Sequence, residues 1–106
     1  MSLIKYATAG ERAVATRLVN ALIERGHKLT LYNGGDEPEV ENSTSAEEIL
    51  AEMAASGEDE LLGDGGVWFY LVYGNAEDGS ELICDALAND ICQAFYDIAY
   101  STGETA

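Results

Sequence analysis

The run Val67-Trp68-Phe69-Tyr70-Leu71-Val72-Tyr73 is unbroken by any polar residue, and it constrains the fold more than any other stretch of the chain. Branched and aromatic residues fit a pleated surface, and a continuous series can be covered on both faces, so the run predicts the central strand of a sheet. Gly74-Asn75 breaks it, Ala76 to Ser80 predicts a turn, and Glu81-Leu82-Ile83-Cys84-Asp85 predicts a returning strand. Before it, Glu58-Asp59-Glu60-Leu61-Leu62 leads into Gly63-Asp64-Gly65-Gly66, which reads as a short edge strand and a tight turn.

Three helices are expected around these strands. Val14, Leu18, Ala21 and Leu22 recur at three-to-four spacing, which predicts a first helix from Thr8 or Gly10 to Arg25, closed by Gly26. Lys28-Leu29-Thr30-Leu31-Tyr32 then alternates with period two, as a half-buried strand does. Ser43-Thr44-Ser45 followed by Glu47 and Glu48 announces a second helix, because Thr44 and Ser45 each have a Glu three residues on. Ala46, Ile49, Leu50, Met53 and Ala54 supply its apolar stripe, with a stop at Gly57. A last helix over about Asn89 to Tyr100 places Ile91, Cys92, Phe95, Ile98 and Ala99 on one face. Tyr96 and Tyr100 fall off that stripe, beside Asp90 and Asp97, where exposed rings would anchor an interface.

The element order predicts an α+β two-layer domain with a small, mainly antiparallel sheet of three to four strands packed by about three helices. At 106 residues, 47% of them hydrophobic, residues 1–106 form a single domain with one core. A loose acidic loop is expected near residues 34–43, which hold four carboxylates and the only proline, and a flexible tail after residue 101. Cys84 and Cys92 lack CxxC spacing and sit among apolar neighbours, so they read as reduced core cysteines of a cytoplasmic protein. No apolar run reaches the roughly 20 residues needed to cross a bilayer.

Charge is distributed as unevenly as hydropathy. All five basic residues (Lys5, Arg12, Arg17, Arg25 and Lys28) lie in the first 28 positions, and the following 78 residues carry 18 carboxylates with no Lys or Arg. The net charge is thus +3 over the first segment and −18 over the second, −15 for the chain. Such a field repels anionic lipid heads and phosphate backbones, which excludes direct membrane or nucleic-acid binding as an expectation and calls for a positively charged partner.

The residues offer little for catalysis. His27 is the only histidine, and a place just beyond a helix C-terminus explains it better than chemistry does. There is no GxxxxGK[ST] run, no GxGxxG and no GxSxG. The carboxylate clusters at Asp36/Glu37/Glu39/Glu41, Glu58/Asp59/Glu60/Asp64 and Glu77/Asp78/Glu81 lack the D-x-[DN]-x-[DN]-G pattern of a calcium loop and read as solvated loops. No catalytic residue, metal ligand or cofactor is therefore assigned, and an enzyme is not expected. Trp68, Tyr70 and Tyr73 are capable of forming a ligand platform, but aromatic residues in a central strand more often build core.

Leu71-Val72-Tyr73-Gly74-Asn75, preceded by Trp68 and followed by the Ile83-Cys84-Asp85 strand, resembles a group of small phage and prophage proteins of unknown function that carry a W-x-x-LVYGN-type segment. The similarity runs from about Ala13 to Asp85, with a shorter Gly-rich turn at residues 63–66. It implies a phage context and no residue-specific activity.

Three functions remain open. In the first, a phage-type acidic inhibitor or nucleic-acid mimic binds the basic, nucleic-acid-binding surface of a host defence or DNA-processing protein in the host cytoplasm, as in anti-CRISPR or anti-restriction. Asp36, Glu37, Glu39, Glu41, Glu47, Glu48, Glu52, Glu58, Asp59 and Glu60 would stand in for phosphates. In the second, a non-enzymatic phage accessory or structural protein self-associates as a homodimer through the aromatic strand and last helix. In the third, the carboxylates only solvate a domain from a salt-adapted organism.

Overall fold

The computed structural model describes residues 7–55, 57–74 and 77–100. Five strands, β1 (Leu29–Tyr32), β2 (Val40–Ser43), β3 (Glu58–Gly63), β4 (Val67–Val72) and β5 (Ile83–Ala86), form one antiparallel sheet in the order β2-β1-β3-β4-β5. Helices α1 (Ala9–Glu24), α2 (Ala46–Glu52) and α3 (Asp90–Ala99) cover one face of it. The class is α+β, as expected, with one strand more than the upper expectation. The tail after residue 101, Asn75 of the Gly74-Asn75 breaker and Ala76 at the start of the turn lie outside the described residues.

The layering follows from period-two alternation. Leu29 and Leu31 of β1, Leu61 of β3, and Val67, Phe69 and Leu71 of β4 point into the core beneath the helices. Thr30, Tyr32, Glu58, Glu60, Leu62, Trp68, Tyr70 and Val72 point the other way and are only half-buried. The apolar run 67–73 is thus covered on one face, not two, and the strand it forms lies next to the middle. The middle strand is β3, not an edge as its carboxylates suggest: its Asp59 and Leu61 face the core while its Glu58 and Glu60 serve the uncovered face. Edge strand β2 emerges from the segment read as loop, because Leu31 and Val40 pair across it and Val40 reaches the core.

Local signals position the helices. Thr8 caps α1, its side-chain oxygen accepting from the Glu11 backbone N–H at 3.1 Å while the Glu11 carboxylate accepts from the Thr8 N–H at 3.0 Å. Ser45 caps α2 and Asn89 caps α3. The β3–β4 turn, Asp64 to Gly66, uses positive φ at Gly65 and Gly66 to reverse the chain within three residues. Cys92 is buried as expected, whereas Cys84 is exposed: it is the extra residue where Tyr70 pairs with Asp85 and Leu71 with Ile83, and a bulge turns it outward.

Candidate functional site

The uncovered sheet face carries the densest arrangement of functional side chains. Register places Tyr32 opposite Glu60 and Glu60 opposite Tyr70, with Asp85 beyond Tyr70, so one row crosses four strands. A second row runs Thr30, Leu62, Trp68, and Glu58 faces Val72. Two diagonal hydrogen bonds stitch the rows together. Trp68 Nε1 donates to Glu60 Oε2 at 2.9 Å, and the Tyr70 hydroxyl donates to the Glu58 carboxylate. That bond to Glu58 holds the Tyr70 phenol above its ordinary pKa, so it stays a donor. At the β1–β2 corner a depression of about 320 Å³ is lined by Lys28, Thr30, Tyr32, Glu41, Leu62 and Asp64, among others.

The ten carboxylates singled out from the sequence divide among three places. Asp36, Glu37 and Glu39 are exposed on the β1–β2 connection, and Glu41 is exposed on β2 itself. Glu47, Glu48 and Glu52 are exposed on α2, where Glu48 accepts from the Ser43 hydroxyl at 2.6 Å. Glu58 and Glu60 lie on the uncovered face. The first two places meet the start of β3: Asn33 Nδ2 donates to the Glu52 carbonyl at 3.4 Å, and a Cβ on Gly34 would lie 3.3 Å from a Glu58 oxygen. The carboxylates therefore continue from α2 around the β1–β2 end of the sheet onto its uncovered face.

Asp59 does not belong to that surface. It points into the core with no exposure, because on a strand with period two it must oppose its neighbours Glu58 and Glu60. Its Oδ2 accepts from the Ala54 N–H at 2.8 Å and from the Tyr73 hydroxyl at 2.5 Å, while Oδ1 is buried without a partner among the described residues. Burial raises its pKa to about 6, the two hydrogen bonds pull it down, and the charges of Glu58 and Glu39 push it up. Tyr73 is itself buried, and that burial with the adjacent Asp59 carries its phenol far above the usual value. Ala54 presents its N–H from a positive φ of 63°, a conformation few non-glycine residues adopt.

Glu11 is the second buried carboxylate. Besides capping α1, it accepts from the Gly74 N–H at 2.8 Å, so it fastens the start of α1 to the end of β4. The Thr8-x-x-Glu11 spacing is a capping-box signal, but the link to Gly74 has no sequence signature.

Two of the arginines lie in the helical layer, whereas Lys28 borders the depression on the uncovered face. Arg17 Nε donates to the Ala99 carbonyl at 2.8 Å, and the Arg25 guanidinium lies 5.6 Å from the Phe95 ring centre, so both are tied to α3. His27 packs edge-on to Phe95 and its Nδ1 lies 3.3 Å from the Asp64 carboxylate, a structural position at the end of α1. Of the aromatic residues weighed as a platform, Tyr73 is core while Trp68 and Tyr70 lie on the uncovered face. Tyr96 is exposed, and the Tyr100 hydroxyl accepts from the Ile83 N–H at 3.1 Å. Among the described residues, no group of three or more His, Cys, Asp or Glu is arranged to hold a metal ion, and no helix is long and apolar enough to cross a membrane. No protein-family model matches this chain, and neither does any curated protein or solved structure.

Proposed function

We propose that this protein is a non-enzymatic acidic docking module of phage type, an inhibitor whose carboxylates occupy the basic nucleic-acid-binding surface of a host defence or DNA-processing protein. The observation that carries this reading is the concentration of carboxylates where the β1–β2 end meets the uncovered face, with Asp36, Glu37, Glu39 and Glu41 beside Glu58 and Glu60, while Arg17 and Arg25 are engaged with α3. A cationic groove approaching that side meets Glu41, Glu58, Glu60 and the exposed acids of the β1–β2 connection, spaced along a surface as phosphates are along a strand. Nine of the ten carboxylates named from the sequence stay in this reading, and Asp59 leaves it.

Immobilised full-length chain, exposed to bacterial lysate at low salt, is expected to retain a nucleic-acid-binding protein that double-stranded DNA or added salt releases. Retention of nothing that DNA displaces would overturn the proposal. A specific observation also favours self-association as a second reading. Among the described residues, Leu87, Ile91 and Tyr96 are the exposed large apolar side chains, and two of them line a depression of about 230 Å³ beside edge strand β5. A dimer that persists in high salt, with no affinity for basic proteins, would replace the first reading by the second.

A further inference from the structure

Glu60 has a setting that negative charge alone does not explain. Tyr32 and Tyr70 stand on either side of it across the sheet, and Trp68 reaches it diagonally through the indole N–H. One carboxylate is thereby flanked by three half-buried aromatic rings on a face that all three helices leave open. Ring faces attract cations, and a carboxylate among them fixes where the positive charge comes to rest.

We propose that the Tyr32–Glu60–Tyr70–Trp68 cluster is a docking site for arginine side chains of a partner protein. This rests on the reading of the chain as an acidic docking module and adds which cation that module recognises. A guanidinium is flat and weakly hydrated, so it stacks on Trp or Tyr while its N–H groups pair with a carboxylate in the same plane. A lysine ammonium is a hydrated point charge that uses the carboxylate but gains less from the rings. Trp68 engages Oε2 of Glu60, which leaves Oε1 to accept from an incoming guanidinium. Glu58 and Asp85 border the cluster and widen the anionic field to more than one arginine. A second copy is a poor occupant, since two such faces would press Glu58, Glu60 and Asp85 against their own likenesses, with Lys28 at the corner as the cation among the described residues of this face.

Trp68 is the only tryptophan of the chain, so its fluorescence reports on this site directly. Full-length protein is titrated with a hexa-arginine peptide and with a hexa-lysine peptide at matched ionic strength. The arginine peptide is expected to change Trp68 emission saturably and to bind about tenfold more tightly than the lysine peptide. Glu60→Gln, a surface replacement of nearly equal shape whose folding far-ultraviolet circular dichroism checks, is expected to weaken the arginine peptide roughly tenfold. Tyr32→Leu, which removes one ring and no charge, is expected to narrow the gap between the two peptides. The combined change Asp90→Asn, Asp97→Asn, exposed on α3 in the helical layer and outside the docking surface, is expected to leave the Trp68 response in place.

Equal binding of the two peptides, with the indole emission unmoved, would overturn the arginine site while leaving general acidic docking intact. Failure of both peptides to bind, together with capture of a DNA-displaceable protein by the immobilised chain, would likewise overturn this site alone. A Trp68 signal that follows protein concentration, with a dimer lost in Glu60→Gln, would assign the face to self-association and overturn the proposal.

Discussion

Burying Asp59 removes hydration that two hydrogen bonds replace only in part, since Oδ1 has no partner among the described residues. Its pKa is about 6 when folded and 3.8 when it is free in water, so between these values the folded chain holds a proton that the unfolded chain has lost. Stability from this residue is fully present below pH about 4, falls as pH rises and is gone above pH about 6, a change on the order of 3 kcal/mol. Asp59→Asn keeps an oxygen for the Ala54 and Tyr73 donors and cannot ionise. Urea unfolding at pH 4 and pH 7 is expected to show the parent losing about 3 kcal/mol more than the variant across that interval. Parallel pH curves for the two proteins would show that Asp59 is not the titrating group. Tyr73→Phe tests the other partner: it deletes a donor to a buried carboxylate and is expected to cost about 1–3 kcal/mol at pH 7 by urea unfolding, with little change near pH 4. That Asp59 is interior was legible in principle, because Asp59 and Leu61 share a parity that excludes Glu58 and Glu60. What was not legible is that Tyr73 and Ala54 supply donors at that point, since those contacts join segments that no local pattern links.

At the scale of elements, local periodicity and capping residues located all three helices and four of the five strands. The helices start where Thr8, Ser45 and Asn89 offer a side-chain oxygen to a backbone N–H, an interaction contained within three or four residues and hence readable in order along the chain. Strand β2 escaped notice because Val40 is its one large apolar residue amid acids, and its partner β1 alone reveals its role. The place of β3 at the middle of the sheet depends on both of its neighbours, so a segment rich in carboxylates reads as an edge until β1 and β4 are seen on either side. The junction of α1 with the loop before β5 was also unreadable, and it rests on glycine in an unusual way. A Cβ on Gly10 would lie 2.4 Å from the Glu77 carbonyl oxygen and from the Asp78 carbonyl carbon. Glycine to alanine within a helix ordinarily stabilises by about 1 kcal/mol. Here the clash is with backbone, which cannot rotate away, so Gly10→Ala is expected to lower stability by about 1–3 kcal/mol in urea unfolding. A gain in stability would show that the helix start and the loop do not approach each other this closely.

For the whole molecule, the uneven ordering of charge along the chain is kept only in part in space: Arg17 and Arg25 lie against α3, but exposed carboxylates occur on α2 and α3 as well as around the sheet. That most of the exposed charge is carboxylate could be read from the sequence. The arrangement around Tyr32, Trp68 and Tyr70 could not, because it depends on which strands are neighbours and on the helices covering one face alone. The same charge distribution fixes how salt acts on stability and on binding, and the two signs are opposite. A net charge of −15 on 106 residues sets carboxylates against one another, and salt at about 0.1 M confines each interaction to about 10 Å. Added sodium chloride is then expected to raise the melting temperature of the free protein by several degrees between about 0.02 and 0.5 M, as repulsion is screened. Over the same range its affinity for a hexa-arginine peptide is expected to fall by at least tenfold, because there the screened interaction is attractive. A protein whose carboxylates serve only solvation in concentrated salt would be unfolded at the low end of that range and would show no loss of a partner at the high end. Calorimetry of the free chain and peptide titration in the same buffers separate the two cases: a folded, less stable chain with its tightest peptide binding at low salt is the outcome that an electrostatic docking surface requires.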